Sequence, residues 1–580
     1  MLNQIFILEA LSLAFATEPA SKNNPSCSSP PRVVILGGGY GGVYTALGLQ
    51  KAARNGLIHL SIISRENFFL AQPMLAEVVS GSIEPPHIIS PIRRLCPKSN
   101  FHQAEIEDID LDKRLVVVRY REQPDFHYIP FDHLVLAVGS STDLSGTPGV
   151  AAHSFSFKTL GDAIALRSHL ISILEKADVE PDANRKNSLL TFVVAGGGYT
   201  GVEVSAEIND FVKEASQSYQ HIEQTEVNVV LLQGSSRILP ELDAESADFS
   251  QRVLERKGIE VRLDTRVTGA TSESVTLKNG SNISTRTLVA AIGSVGNPLL
   301  EKLSCERDLR GRPVVDSNLM LVGNPNVWAV GDCVAIPNAV SDQTCPPTAQ
   351  CAIRAGKHLS KNILATIADQ SVKSFAYKDR GVFVPLGRFS GAARIMGFKV
   401  SGFWAWWMYR TFFLLQLPRL KRKIQVLIDW SLELVFPRDI VNLDITKSHQ
   451  TTQSHYDPGQ IIFSQGDLAQ GFFIILDGRV EVIREKDGGS ISIAKLSTGD
   501  YFGEMSLLYG VRHTATIKAI TAVDVVIMNA NDFTMLASSS SDFRKLFSKA
   551  MTERLSGLGI ENPNEISQSE HEQINDNGKS

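Results

Sequence analysis

The chain has 580 residues, 43% of them hydrophobic and 21% charged, with a formal net charge of -5; that is enough for about three or four compact domains, each with its own core. The charge is mild and no basic tract dominates, which excludes nucleic acid as an expected partner. The six cysteines show neither a C-x-x-C pair nor zinc-finger spacing, so neither a redox disulfide nor a structural metal is expected, and reduced thiols in a reducing compartment fit best.

Residues 1–20 are apolar but lack a basic amino-terminal region and are interrupted by Glu9, which reads against a secretory signal. Ser, Asn and Pro over residues 21–31 predict that 1–31 is a flexible leader. The first buried-looking β run, Val33 to Leu36, enters a glycine loop carrying Gly37, Gly39 and Gly42. A helical stretch to Ala53 and a strand from His59 to Ser64 complete a βαβ unit. Such a loop aims backbone N–H groups and a positive helix end at a pyrophosphate.

The same pattern returns after Phe192 to Ala195, with Gly196, Gly198 and Gly201 and a return strand from Val227 to Leu232. One such loop is often only a tight turn. Two, each between a strand and a helix, imply two dinucleotides and an enzyme that passes electrons from a nicotinamide to a bound flavin. Further β runs fall at Leu115 to Tyr120, Leu134 to Val138 and Leu288 to Ile292, and Asn326 to Asp332 places a carboxylate directly after a short strand. The expected class is α/β, with two Rossmann-like domains: an FAD-binding domain over 32–155 and 285–375, split around an NAD(P)H-binding domain over 188–284.

From Gly402 the composition shifts to aromatic residues followed by a basic cluster at Arg419 to Lys423. Arg410 and Pro418 make a poor bilayer span, whereas Trp-rich surface beside Lys and Arg suits the lipid headgroup region. Residues 376–440 are therefore expected to be an amphipathic membrane-association region, contacting lipid through 402–435; a core helix or a homodimer interface is the alternative. Short β runs punctuated by glycines predict a small β-barrel or jelly roll over 451–548, and the polar stretch 556–580 a disordered tail.

The ordered motifs GGGYGG, LVLAVGS (134–140), FVVAGGGYTGVE (192–203) and NVWAVGD (326–332) resemble the two-dinucleotide-binding flavoproteins. PPTAQ (346–350) and the aromatic stretch after it resemble, more narrowly, the type II NADH:quinone oxidoreductases, over about residues 31–439. The resemblance implies that Gly37, Gly39 and Gly42 hold the FAD pyrophosphate, that Asp332 binds its ribityl or pyrophosphate region, and that Gly196, Gly198 and Gly201 hold the NADH or NADPH pyrophosphate. Glu203 resembles the family glutamate near flavin and nicotinamide, a group able to position the donor or relay protons; a helix-start acid is the plainer alternative. Ala349 and Gln350 are the implied quinone site, and Arg380 aligns where relatives carry Lys near the flavin.

The chain departs from the family at three places. The acid expected at the adenosine ribose is Ser64, with Glu66 close enough to substitute. The nicotinamide ribose acid is replaced by Gln233, with Arg237 nearby, so discrimination against NADPH is expected to be lost. Arg354 follows the quinone motif where relatives commonly have glutamine.

FGEMSLLYGVRHTAT (502–516) resembles the cyclic nucleotide-binding domain, with Gly503 and Glu504 matching its ribose-binding positions. The phosphate arginine aligns with His513, while Arg512 falls one residue early. A cyclic nucleotide is the ligand this motif implies, and a ligand-free regulatory or dimerising barrel is the alternative. The whole reads as a peripheral FAD enzyme on the cytoplasmic face of a membrane, oxidising NADH or NADPH and reducing a membrane quinone without pumping protons. A soluble diaphorase and a nicotinamide redox sensor with little turnover are the rivals.

Overall fold

The computed structural model describes residues 29–120, 126–308, 310–338, 344–378, 381–395, 397–442, 452–467, 471–486, 489–509, 512–529 and 533. The leader through residue 28, Arg380 and the tail from residue 556 lie outside them.

The first domain is built on five parallel strands in the order Val327–Ala329, His133–Leu136, Arg32–Leu36, His59–Ser64 and Asn100–Asp110. Leu115–Tyr120 and Phe126–Pro130 extend the sheet in antiparallel fashion. Val33 to Leu36 are fully buried, as a central parallel strand requires. Helix Tyr40–Arg54 follows the first glycine loop and packs on helix Ala349–Ile367. Small residues allow the close approach: Gly48 faces Ser360, and Gly356 faces the Gly41 carbonyl.

The second domain holds five parallel strands, Phe155–Ser156, Thr287–Ala290, Thr191–Ala195, Asn228–Leu232 and Ile259–Arg262. Thr287–Ala290 pairs directly with Thr191–Ala195. The strand just after residue 285, which the sequence places in the returning flavin domain, is thus part of the second sheet, and so is Phe155–Ser156. An apolar run is equally suited to either sheet, and only its pairing decides between them.

Residues 376–440 are not helical throughout. A three-stranded antiparallel sheet, Gly381–Pro385, Gly391–Ile395 and Phe398–Ser401, precedes two helices, Phe403–Gln416 and Leu420–Glu433. Among the described residues no helix is long and apolar enough to cross a membrane.

The carboxy-terminal module has two four-stranded sheets. One runs Thr452–Tyr456, Val523–Asn529, Gly471–Asp477 and Tyr501–Phe502; the other Ile461–Phe463, Thr516–Ala519, Arg479–Lys486 and Gly489–Ser497. Phe473, Ile475, Val480, Phe502, Ile517 and Val525 fill the space between them. The module meets the second domain where His153 Nε2 donates to the His455 carbonyl at 2.9 Å.

Candidate active site and its neighbours

Both glycine loops sit at the carboxyl ends of central strands, and each is held by contacts that leave no room for a side chain. A Cβ on Gly42 would lie 2.0 Å from the Gly37 carbonyl oxygen, and one on Gly201 1.7 Å from that of Gly196. Gly37 and Gly196 themselves adopt φ of 111° and 114°, against the carbonyls of Ala137 and Ala291. The turns need glycine at these positions. Gly39 and Gly198 differ: they cap the following helices, and a Cβ there would meet no protein atom within 4 Å. The open side of each turn is where a pyrophosphate would lie, so both cradles fit the group the sequence implies.

Asp332 follows strand Val327–Ala329. Burial pushes its carboxyl up, against the downward pull of Lys158 and Arg312. Lys158, whose Nζ donates to Ser140 Oγ at 3.2 Å, is a neighbour that no sequence motif marks. Ser64 is buried under the first loop, close to Gly38. Glu66 stands at the rim with its side chain half exposed, 3.7 Å from Arg65 Nε.

In the second domain, the Gly197 N–H donates to Gln233 Oε1 at 2.9 Å, while Gln233 Nε2 donates to Ser235 Oγ at 2.7 Å and to the Arg237 carbonyl at 3.2 Å. The amide thus ties the return strand to the glycine loop. Arg237 donates to the carbonyls of Pro240 and Leu242, within its own turn.

Glu203 lies in the second turn of helix Tyr199–Ala215. It is partly buried, and the crowding of protein around it, with Glu207 and Glu77 nearby, raises its carboxyl well above the ordinary range. Such a shift favours the protonated form, the one a proton donor needs.

Ala349 and Gln350 open helix Ala349–Ile367, which Thr348 caps by accepting from the Cys351 N–H. Tyr377 donates its hydroxyl to Gln350 Oε1 at 2.7 Å, and Arg354 stacks over the same ring at 5.3 Å while donating to the Lys378 carbonyl. Arg354 is therefore occupied by Tyr377 and the Lys378 carbonyl. Cys345 and Cys351, both buried at the two ends of the PPTAQ turn, are close neighbours. Spacing alone did not indicate that contact.

Trp406 and Tyr409 of the first hairpin helix face inward, whereas Trp404 and Trp407 are 65% and 50% exposed and Leu420, Ile424, Leu427 and Ile428 continue the outer apolar surface.

In the barrel, a cavity of about 250 Å3 is lined by Phe463, Arg484, Leu496, Phe502, Glu504 and His513. Gly503 packs against the Gly471 carbonyl, with φ of 88°. His513 stacks flat on Phe463, ring centroids 3.6 Å apart, and bonds Ser506 Oγ; burial lowers its pKa, so the ring is neutral near pH 7. Arg512, a candidate phosphate ligand by sequence, is exposed and donates to the Gly466 carbonyl at 2.8 Å, outside the cavity. Successive residues in extended backbone point to opposite sides, which is why a shift of one residue removes it. Arg484 is the cation that lines the cavity, on the same strand face as Val482.

Residues 31–356 match the family model for pyridine nucleotide-disulphide oxidoreductases, and residues 453–540 the cyclic nucleotide-binding domain. A probable NADH dehydrogenase of Dictyostelium discoideum is 32% identical over 419 residues, covering 70% of this chain and 90% of that protein. A type II NADH:quinone oxidoreductase of Mycobacterium tuberculosis is 30% identical over 429 residues, covering 71% and 90%. The chain belongs to the type II NADH:quinone oxidoreductases. As a member of that family it is an oxidoreductase with an added β-rich carboxy-terminal domain. The family fold is also that of the NDH2 of Plasmodium falciparum in complex with NADH, with a TM-score of 0.66 at 22% identity over 71% of this chain and 99% of that one.

Proposed function

We propose that this chain oxidises NADH or NADPH through bound FAD and reduces a membrane quinone. The observation that carries the reading is the pair of glycine cradles, each too tight for a side chain and each at the end of its own parallel sheet. Gly37, Gly39 and Gly42 would hold FAD with Asp332, and Glu66 would approach its adenosine ribose. Gly196, Gly198 and Gly201 would hold the nicotinamide dinucleotide. Bound FAD supplies the hydride acceptor and electron donor; the residues of this chain orient the ligands, exclude water and manage protons. Glu203 would supply a proton as quinone becomes quinol, with Ala349, Gln350 and Tyr377 beside the headgroup.

The outward Trp, Leu and Ile side chains of the hairpin, with Arg419 and Lys421 between them, support peripheral binding to a lipid surface on the cytoplasmic face. A soluble diaphorase would have no use for this exposed apolar surface.

Anaerobic mixing tests the nicotinamide assignment. Both NADH and NADPH are expected to bleach the flavin, and a soluble quinone analogue to restore its colour. Gln233→Glu should lower the NADPH rate by about tenfold or more relative to NADH, because a carboxylate at that site repels the extra phosphate. Unchanged NADPH kinetics in the variant would dispose of this role for Gln233.

The barrel's cavity, with Glu504 on its wall and Gly503 at its turn, supports a cyclic nucleotide as its ligand. A neutral, stacked His513 lacks the charged fork that grips phosphate, so the binding should rest on Glu504 and Arg484. In calorimetric titration with cyclic AMP and cyclic GMP, Arg484→Ala is expected to weaken binding about tenfold or more. Absence of heat from the wild type with either nucleotide would leave the barrel as a regulatory or dimerising module.

A further inference from the structure

One buried cluster is left without a use by the cradles, the quinone motif and the barrel. It lies where the short helix Leu75–Val79, the Glu203 helix and both hairpin helices meet. Glu77 Oε2 accepts from Arg410 Nη2 at 2.8 Å and from Trp430 Nε1 at 2.7 Å. Arg410 Nη2 also donates to Glu433 Oε2 at 2.8 Å, and Glu433 Oε1 accepts from Ser82 and from Arg438 Nη2. Arg438 Nη2 lies 3.8 Å from Glu207 Oε2.

Four carboxyl groups, Glu77, Glu203, Glu207 and Glu433, therefore share this region with two buried guanidiniums, Arg410 and Arg438, while Arg388 and Glu214, 3.8 Å apart, add one charge of each sign at its edge. A lone buried ion is strongly disfavoured, so a surplus of acids must hold protons. Glu433 touches both guanidiniums and is the acid best compensated. By contrast, Glu77 Oε1 and Glu207 Oε2 are buried oxygens that accept no hydrogen bond among the described residues. Burial, with the charges of Glu207 and Glu433, pushes Glu77 up to about 7 against the pull of Arg410; burial, with Asp210 and Glu433, raises Glu207 against that of Arg438.

The remaining neighbours fit this balance. Tyr409, which donates to the Pro73 carbonyl, faces Glu203, Glu77 and Glu207 from the first hairpin helix. Asp210 adds negative charge near Glu207, while its carboxylate is paired with Lys257 at 2.7 Å. Arg167, from the helix packed on Leu75–Val79, donates to the Asp439 carbonyl and lies toward Arg438.

We propose that Glu77 and Glu207 form a proton store behind Glu203, enclosed by the amphipathic hairpin. The inference rests on Glu203 serving the quinone step. Turning a quinone into a quinol adds two electrons and two protons; the nicotinamide brings both electrons and one proton as hydride, and the second proton comes from solvent by way of the protein. When the Glu203 O–H bond breaks and a quinol O–H bond forms, Glu203 is left as a carboxylate. A proton from the store returns it to the acid form, and water refills the store. Glu77 and Glu207 are positioning residues in this scheme, acting through Glu203.

The test uses the full-length, FAD-loaded protein and its Glu77→Gln, Glu207→Gln and Glu203→Gln variants, read by infrared spectroscopy and by the pH profile of soluble-quinone reduction. Wild type is expected to show a protonated carboxyl C=O band at neutral pH that weakens in Glu77→Gln. The alkaline fall in quinone turnover should move about one pH unit lower in that variant, because above pH 7 the emptied Glu77 carboxylate, whose negative charge favours protonated Glu203, is gone. Glu207→Gln should do the same; its side chain meets Arg438 only at 3.8 Å, so it serves if Glu77→Gln does not fold. An unchanged band and an unmoved profile in the folded variants would overturn the store. If Glu203→Gln itself left quinone turnover intact, the assignment of Glu203 would fall first and the store with it; if it crippled turnover while the other two moved nothing, the store alone would fall.

Discussion

Gly42→Val is expected to yield a colourless protein, and Gly201→Val a yellow one that NADH cannot bleach. The obstructing atoms are backbone carbonyl oxygens, 2.0 and 1.7 Å from where each Cβ would stand, and backbone cannot rotate aside as a side chain can. Helix Tyr40–Arg54 or Tyr199–Ala215 would have to draw away from its strand, taking with it the amides proposed to face the pyrophosphate. Overpacking in a tight interior commonly costs about 1–3 kcal/mol, and the upper end of that range is more than a hundredfold in ligand occupancy. The effects should separate because the loops belong to different sheets. Gly39→Ala is the control: its Cβ meets no protein atom, so any flavin lost there reports contact with the ligand itself. The absorption spectrum after purification, followed by anaerobic NADH addition, reads all three. A Gly42→Val protein with full flavin content would mean that the first loop does not hold the flavin.

The same contacts explain which features could be read without coordinates. The strand, glycines and helix start of each cradle lie within about ten positions, so the sequence records them locally, although the carbonyls of Ala137 and Ala291 that back Gly37 and Gly196 come from far along the chain. The family resemblance added the roles proposed for Asp332, Glu203 and Gln350. Their partners were not legible: Tyr377 reaches Gln350 from 27 residues away, and Lys158 approaches Asp332 from another element. His513 shows a subtler limit. The missing phosphate arginine is visible in the motif, but that the histidine stacks on Phe463 depends on a strand pairing elsewhere in the barrel.

Arg410 is the clearest case of a residue whose local setting misleads. Within an aromatic run it reads only as a break that makes a poor bilayer span, and Glu77, a single acid in a short apolar helix, carries no pattern at all. They lie 333 residues apart and make a 2.8 Å ion pair, both almost wholly buried. Charge compensation in a core is non-local, so neither side chain announces the other. The outer half of the hairpin, by contrast, was legible because exposed Trp, Leu and Ile side chains need no partner within the chain.

Arg410→Ala should release the hairpin from the body of the enzyme. Its guanidinium donates to Glu77 and Glu433, and its plane lies over Trp406 at 4.3 Å and Trp430 at 4.8 Å. Burial works against its charge, but the neighbouring carboxylates hold the arginine more firmly protonated than usual. Removing one partner from such a pair leaves uncompensated charge and typically costs about 3–5 kcal/mol. Hydrogen exchange should localise the loss: protection over 403–433 is expected to fall by about a hundredfold or more, while the barrel and central sheets keep theirs. With the helices no longer seated, reduction of quinone carried in lipid vesicles should drop with it. Arg410→Ala combined with Glu77→Gln removes the charge left behind as well as its counterpart, so the double variant should regain part of the lost protection. Hairpin protection in Arg410→Ala equal to wild type would show that apolar contacts alone seat these helices.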